Sequence, residues 1–134
     1  MKKLVMAVLF SCILCSCESV FPNDEIDFLW RLDGVEKSGE LHQTCNYWMS
    51  LARHIAVFEG NASSAGYAQA FASFYDSFDS LFFDFSMCAD TALTMDLIGN
   101  FGMEDLEFRC SYDLPKSNKL VLSGNGTVLY FTKW

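Results

Sequence analysis

The sequence predicts an all-β domain of antiparallel meander strands, and three stretches carry that prediction. In LEFRCSYDL, Leu106, Phe108, Cys110 and Tyr112 alternate with Glu107, Arg109, Ser111 and Asp113, the side-chain period of a strand with one buried face. In IDFLWRLDGV, Ile26, Phe28, Trp30 and Leu32 alternate with Asp27, Arg31 and Asp33, Leu29 being the exception. The closing KLVLSGNGTVLYFTKW reads as two strands around Gly124-Asn125-Gly126, a tight-turn signal between β-branched and aromatic runs.

The first residues are not part of that domain. Lys2 and Lys3 precede an apolar run from Leu4 to Leu14, and polarity sets in at Glu18, the three-part layout of a secretory leader. The run is too short for a membrane-crossing helix, which needs about 20 apolar residues. Leu14-Cys15-Ser16-Cys17 resembles the bacterial lipobox, with a large aliphatic residue three positions before a cysteine and a small one directly before it. Cys17 is therefore the expected lipidation site, residues 1–16 the signal peptide, and residues 17–25 a polar, lipidated tether. Several acyl chains together give stable anchoring, since each buried methylene contributes about 0.8 kcal/mol. Cys12 and Cys15 fall in the leader, so their C-x-x-C spacing carries no redox or zinc chemistry.

The remaining residues suit one domain, 26–134, with no internal repeat or low-complexity tract. Loss of Lys2 and Lys3 takes the net charge from −8 to −10. So acidic a chain argues against nucleic acid as a partner and against a basic patch as the means of membrane attachment. Cys45, Cys88 and Cys110 permit at most one disulfide, and free buried thiols fit equally well.

Each strand can be justified in turn, but the middle of the chain admits two readings. Leu41, Cys45, Trp48, Ala52 and Ile55 recur at helical spacing, as do Tyr67, Phe71, Phe74, Phe78, Leu81 and Phe85. Against helix, the second stretch is rich in Phe and Tyr, which favour pleated surfaces, and Asp76-Ser77-Phe78-Asp79 reads as a hairpin turn. YWMSLARHIAVFE also alternates, with Tyr47, Met49, Leu51, Ile55 and Val57 on one face and Arg53 out of place. Periodicity alone leaves the two open. Further on, Pro115-Lys116-Ser117-Asn118 supplies a turn before the strand at Lys119 to Ser123.

Taken in order, the lipobox, IDFLWRLDGVE, GYAQAFASFYDSFDSLFFDF, FGMEDLEFRCSYDL and the closing KLVLSGNGTVLYFTKW resemble the small lipocalin-like lipoproteins of Bacteroidales over nearly the whole mature chain. The resemblance implies an antiparallel up-and-down β-barrel of about eight strands, and implies no catalytic residue. Strands are then expected near 26–35, 46–59, 66–75, 79–86, 105–113, 118–123 and 127–133. Between the middle and final hairpins the sequence fits either a structured loop or one short helix, the latter capped by Asp90, turning Leu93, Leu97 and Ile98 inward, ending at Gly99 and plugging a barrel mouth.

The mature chain carries no H-E-x-x-H, G-x-S-x-G, phosphate-binding glycine loop or paired C-x-x-C, so the expectation is a protein that is not an enzyme and needs no cofactor. His42 and Cys45 stand three apart, yet a metal site needs three or four converging ligands. Asp76, Asp79 and Asp84 lack the spacing of a calcium loop. The aromatic cluster Phe71, Phe74, Tyr75, Phe78, Phe82, Phe83 and Phe85 raises three possibilities: it lines a cavity, it fills the barrel, or it leaves rings such as Phe83 or Phe74 outside for a protein partner. Two functions follow. One is a membrane-anchored binder of a small apolar ligand, with Trp30, Phe71, Phe82 and Tyr130 as pocket residues. The other is a tethered structural or interaction module with a filled barrel, acting on another protein of the cell envelope, on the outer membrane.

Overall fold

The computed structural model describes residues 26–44, 46–63, 65–77 and 80–134. The expected leader, Cys17 and the expected tether lie outside the described residues, as do Cys45, Ser64, Phe78 and Asp79. Nine strands form one antiparallel sheet: β1 (Leu29–Lys37), β2 (Glu40–Gln43), β3 (Trp48–Ala52), β4 (Ile55–Ala62), β5 (Gly66–Ser77), β6 (Ser80–Asp84), β7 (Glu107–Lys116), β8 (Lys119–Gly124) and β9 (Thr127–Lys133). The single described helix, α1 (Thr91–Gly99), lies between β6 and β7. Trp30 stands opposite Met49 on one side and Lys133 on the other, so β1 pairs with both β3 and β9 and the sheet closes on itself. The expected up-and-down barrel of eight strands is thus present, with β2 as an extra strand and one short helix.

β2 and β3 are two pieces of one interrupted stave. Both pair along the same side of β1, β2 with Gly34 to Lys37 and β3 with Leu29 to Arg31. Between them Thr44 N–H donates to Asp33 O at 3.0 Å, and Tyr47 O accepts from Leu32 N–H at 2.8 Å, so both flanks of the interruption stay tied to β1. Tyr47 there lies so close to β4 that a Cβ on Gly60 would stand 2.3 Å from its ring, so no larger residue fits position 60.

One expected strand, 46–59, is two. Ala52 pairs with Ile55 across the two-residue turn Arg53-His54, in which Arg53 takes a φ of 59°. The reversal moves the inward set from Met49 and Leu51 to Ala56 and Phe58, and Ile55 becomes exposed. The helical readings of both middle stretches fail for the same reason: Leu41, Trp48, Ala52 and Ile55 in the first, and Tyr67, Phe71, Phe74 and Leu81 in the second, are paired across ladders. β7 also runs past the expected end at Asp113, through a register shift that accommodates Pro115, to the turn at Ser117-Asn118. Asn125 and Gly126, both at positive φ, close the β8–β9 hairpin as expected.

Connections alternate between the two barrel ends. One end carries the β1–β2, β4–β5 and β8–β9 turns and α1. The other carries the β3–β4, β5–β6 and β7–β8 turns, the first described residues and Trp134. The Asp90 carboxylate accepts from Leu93 N–H at 3.0 Å and starts α1, which buries Thr94, Leu97 and Ile98 and packs on β4 and β5. Gly99 is its last residue, Leu93 is only half-buried, and Phe101 follows into the core. At the opposite end Ile26 is buried, and its carbonyl accepts from the Trp30 indole N–H at 2.9 Å.

Candidate functional site

The inside of the barrel is packed with side chains. Phe58, on β4, meets Phe83, Phe85 and Phe101 edge-on at 5.3, 5.1 and 5.0 Å, and Phe74 stacks on Phe83 at 5.4 Å. Such pairs add about 0.5–1.5 kcal/mol each beyond the area they bury. Leu32, Met49, Leu51, Leu81, Leu120, Leu122, Leu129 and Phe131 surround these rings, all buried. The thiol of Cys110 lies among them, and burial pushes its pKa up to about 12. A group held this firmly as the neutral thiol is inert as a nucleophile at neutral pH.

Four side chains had been expected to share a pocket lining: Trp30, Phe71, Phe82 and Tyr130. The structure does not bring them together. Trp30 is fully buried near the end that Ile26 covers. Phe71, 44% exposed, lies on the outer face of β5, and Phe82 lies on the outer face of β6. Tyr130, on the outside of β9, donates its hydroxyl to Glu36 at 3.1 Å, and that bond raises the phenol pKa. The parity of β5 and β6 is therefore opposite to the one that would leave Phe74 and Phe83 outside: both are interior. Ala68, Ala70 and Ala72 set that parity, since these small residues face inward and leave room for Phe58 and its neighbours.

On the outer surface, planar groups form a row across three strands. Tyr75 stands opposite Phe82, and Phe82 opposite Arg109. The Tyr75 and Phe82 rings stack at 6.2 Å, and the Arg109 guanidinium lies 4.3 Å over the Phe82 ring. Beside this row is an open cleft of about 620 Å³, with Leu81 and Cys110 on its inner side and Asp76, Ser77, Ser80, Ser111 and Ser123 among its lining. Ser111 donates to Ser123 O at 3.4 Å. Further along the same face, exposed Tyr67, Phe71 and Ile55 continue the apolar surface, and Tyr67 donates to Glu59. The sequence places Arg109 on the polar side of its strand and Tyr75 in the aromatic cluster, but does not pair the two in one face, and it puts Ile55 with Met49 and Leu51 rather than on the outside. The available signal was Gln69, whose place between Tyr67 and Phe71 marks their side of β5 as the wet one.

The metal-ligand types do not converge. His42 lies in exposed β2 and His54 in the β3–β4 turn at the opposite end, and no group of three or more His, Cys, Asp or Glu among the described residues could hold an ion. Cys88 donates its thiol hydrogen to Phe71 O at 3.1 Å and is not disulfide-bonded, and neither is Cys110. Asp84 and Asp76 lie at opposite ends of the β5–β6 hairpin, and the Asp84 carboxylate accepts from Ser86 N–H at 2.9 Å.

No protein-family model matches the chain, and no curated protein matches it. Solved structures do. A lipocalin-like protein from Bacteroides uniformis superposes with a TM-score of 0.67 at 13% identity, over 82% of this chain and 99% of that one. An uncharacterized protein from Bacteroides eggerthii gives 0.64 at 12% identity, over 81% and 99%. At such identities the likeness is one of fold, and the fold is lipocalin-like.

Proposed function

We propose that this lipocalin-like barrel is a non-enzymatic binding module of the cell envelope, tethered by lipid on Cys17 to the outer membrane and acting through its outer surface. The observation that carries the surface reading is the inversion on β5: the inner face is alanine packed under buried rings, while Phe71 and Tyr75 stand outside, 44% and 55% exposed. Large rings exposed on one strand face are the side chains a protein partner would cover. The partner in this reading is another envelope protein seated on β4–β6. The test is photocrosslinking in cells from a benzophenone side chain at position 71 or 75. One discrete adduct, absent when the probe sits at Tyr130, supports the reading; no adduct from either position sinks it. The lipid tether is tested separately, by the intact mass of the membrane-extracted protein and its loss from membranes in C17A.

A second reading, a small-molecule binder, is favoured by the cleft beside Tyr75, Phe82 and Arg109. On this reading the ligand would sit in that open cleft rather than among the packed interior rings. Native mass spectrometry of the extracted protein would then show a ligand mass that disappears on denaturation.

A further inference from the structure

The net charge of the chain conceals a polarity between the two barrel ends. Apart from Lys2 and Lys3, the cations are Arg31, Lys37, Arg53, Arg109, Lys116, Lys119 and Lys133. Lys37 alone lies at the helix-covered end, where it pairs with Glu104. Glu40, Asp90, Asp96, Glu104, Asp105 and Glu107 crowd that same end. Arg53 is in the β3–β4 turn, Lys116 and Lys119 flank the β7–β8 turn, and Lys133 ends β9, so four cations collect at the opposite end. Among the described residues Asp27 and Asp76 offset part of this charge, leaving one end with a slight excess of cations and the other strongly acidic.

The cation-bearing end also presents aromatic rings. Trp134 is 69% exposed with the Arg31 guanidinium 5.6 Å from its ring, and Phe28 is partly exposed with Lys133 Nζ 3.3 Å from its ring. Aromatic rings beside Lys and Arg are the side chains that settle at a membrane–water interface. This is the end at which the described chain starts. From Cys17 to Ile26 nine residue steps span about 32 Å at most.

Resting on the tether reading above, we infer that this end, with Phe28, Trp134, Arg53, Lys116, Lys119 and Lys133, faces the bilayer and docks on anionic phospholipid headgroups. The acidic, helix-covered end is repelled from the same surface, so attraction and repulsion act on orientation in one direction. The β4–β6 outer face then stands at the side of the tethered barrel, open to a partner.

The test uses the protein extracted from membranes and reconstituted in vesicles of phosphatidylcholine, with or without phosphatidylglycerol, and with lipids brominated near the headgroup. The Trp134 signal is the difference between the protein and W134F. Quenching of that signal in phosphatidylglycerol vesicles, reduced by salt and by the triple reversal K116E/K119E/K133E, is the expected result. Anchored protein whose Trp134 signal is not quenched, or is quenched equally in the reversed variant, overturns the docking while the tether stands. Should the intact mass show no acyl chain, the tether reading fails, and flotation of the same protein with phosphatidylglycerol vesicles decides the docking. Flotation weakened about tenfold by the triple reversal supports it, and no flotation overturns it.

Discussion

The two faces of β5 use aromatic residues in opposite ways. On the inner face Ala68, Ala70 and Ala72 are buried and only Phe74 is large, whereas the outer face carries Tyr67, Phe71 and Tyr75. Volume explains the inner face. Phe58 on β4 pairs with Ala70, and its ring occupies the space that a larger residue on β5 would take, so that it can reach Phe83, Phe85 and Phe101. A small barrel holds one such cluster, and the strand that passes it must be small. The outer rings have fewer partners: Tyr75 stacks on Phe82 and Tyr67 bonds Glu59, while Phe71 stands 44% exposed, so the core packing that fixes the inner face does not fix the outer one.

The contrast breaks first at its centre. Phe58→Ala should destabilise by about 3–5 kcal/mol, since it removes a buried ring with three ring partners and leaves a cavity beneath an alanine row unable to fill it. Urea unfolding would read this as a lower midpoint with little change in slope. Ala70→Leu tests the same space from the other side. Overpacking there should cost about 1–3 kcal/mol, and a variant that unfolds like the parent would show the layer beneath Phe58 to be loose.

The inner face also holds Cys110, and its thiol sharpens the comparison through pH. The pKa is raised from 9.0 to about 12 by burial, so between those values the unfolded chain loses the thiol proton while the folded one keeps it. The unfolded state then binds fewer protons, and stability must fall as pH rises from about 9 toward 12, by at most about 1.4 kcal/mol per pH unit. Below pH 9 the group contributes no slope. Unfolding at pH 8 and pH 10.5, for the protein and for Cys110→Ala, isolates this from the titration of Lys and Tyr. Equal pH dependence in the two chains would mean that the thiol is not held neutral.

A smaller effect belongs to α1, the lid of one end. Asp90→Ala removes the acceptor for Leu93 N–H and should cost about 1 kcal/mol. This helix was half legible in the sequence: a capping aspartate, Leu97-Ile98 and Gly99 fit it, but so short a segment fits a structured loop as well, and burial of Thr94, Leu97 and Ile98 against β4 and β5 decides for helix. The strands at the chain's two ends were legible too, since charged residues such as Asp27, Arg31, Glu107 and Arg109 mark the wet side of each. Legibility failed where the punctuation was missing. The β3–β4 turn is made by Arg53 and His54, neither of them a usual turn residue, so two strands read as one. In β5 the larger hydrophobes are on the wet side, so hydrophobicity alone groups Phe71 and Phe82 with Trp30 as pocket residues and leaves open whether Phe74 and Phe83 fill the barrel or stand outside. Phe28 shows a milder case, sharing the parity of Trp30 yet partly exposed, because the chain turns before β1 begins.

The smallest expected change in stability is at Phe71 and Tyr75, and this is where the comparison is decided. Phe71→Ala and Tyr75→Ala remove exposed surface, so each should shift unfolding by no more than about 0.5 kcal/mol. If the rings served the fold, their loss would lower the midpoint as Phe58→Ala does, only less. If they serve a partner, the midpoint stays and the complex formed in cells weakens, because truncating an aromatic anchor commonly costs an interface 2 kcal/mol or more, on the order of thirtyfold in affinity. Tyr75→Ala also strips one side of the stack on Phe82, leaving Arg109 on the other, so it should be the more damaging of the two for any ligand held in the adjacent cleft. Stability unchanged and binding lost is the outcome that assigns the outer face of β5 to recognition. Stability lost with binding unchanged would return both rings to the fold.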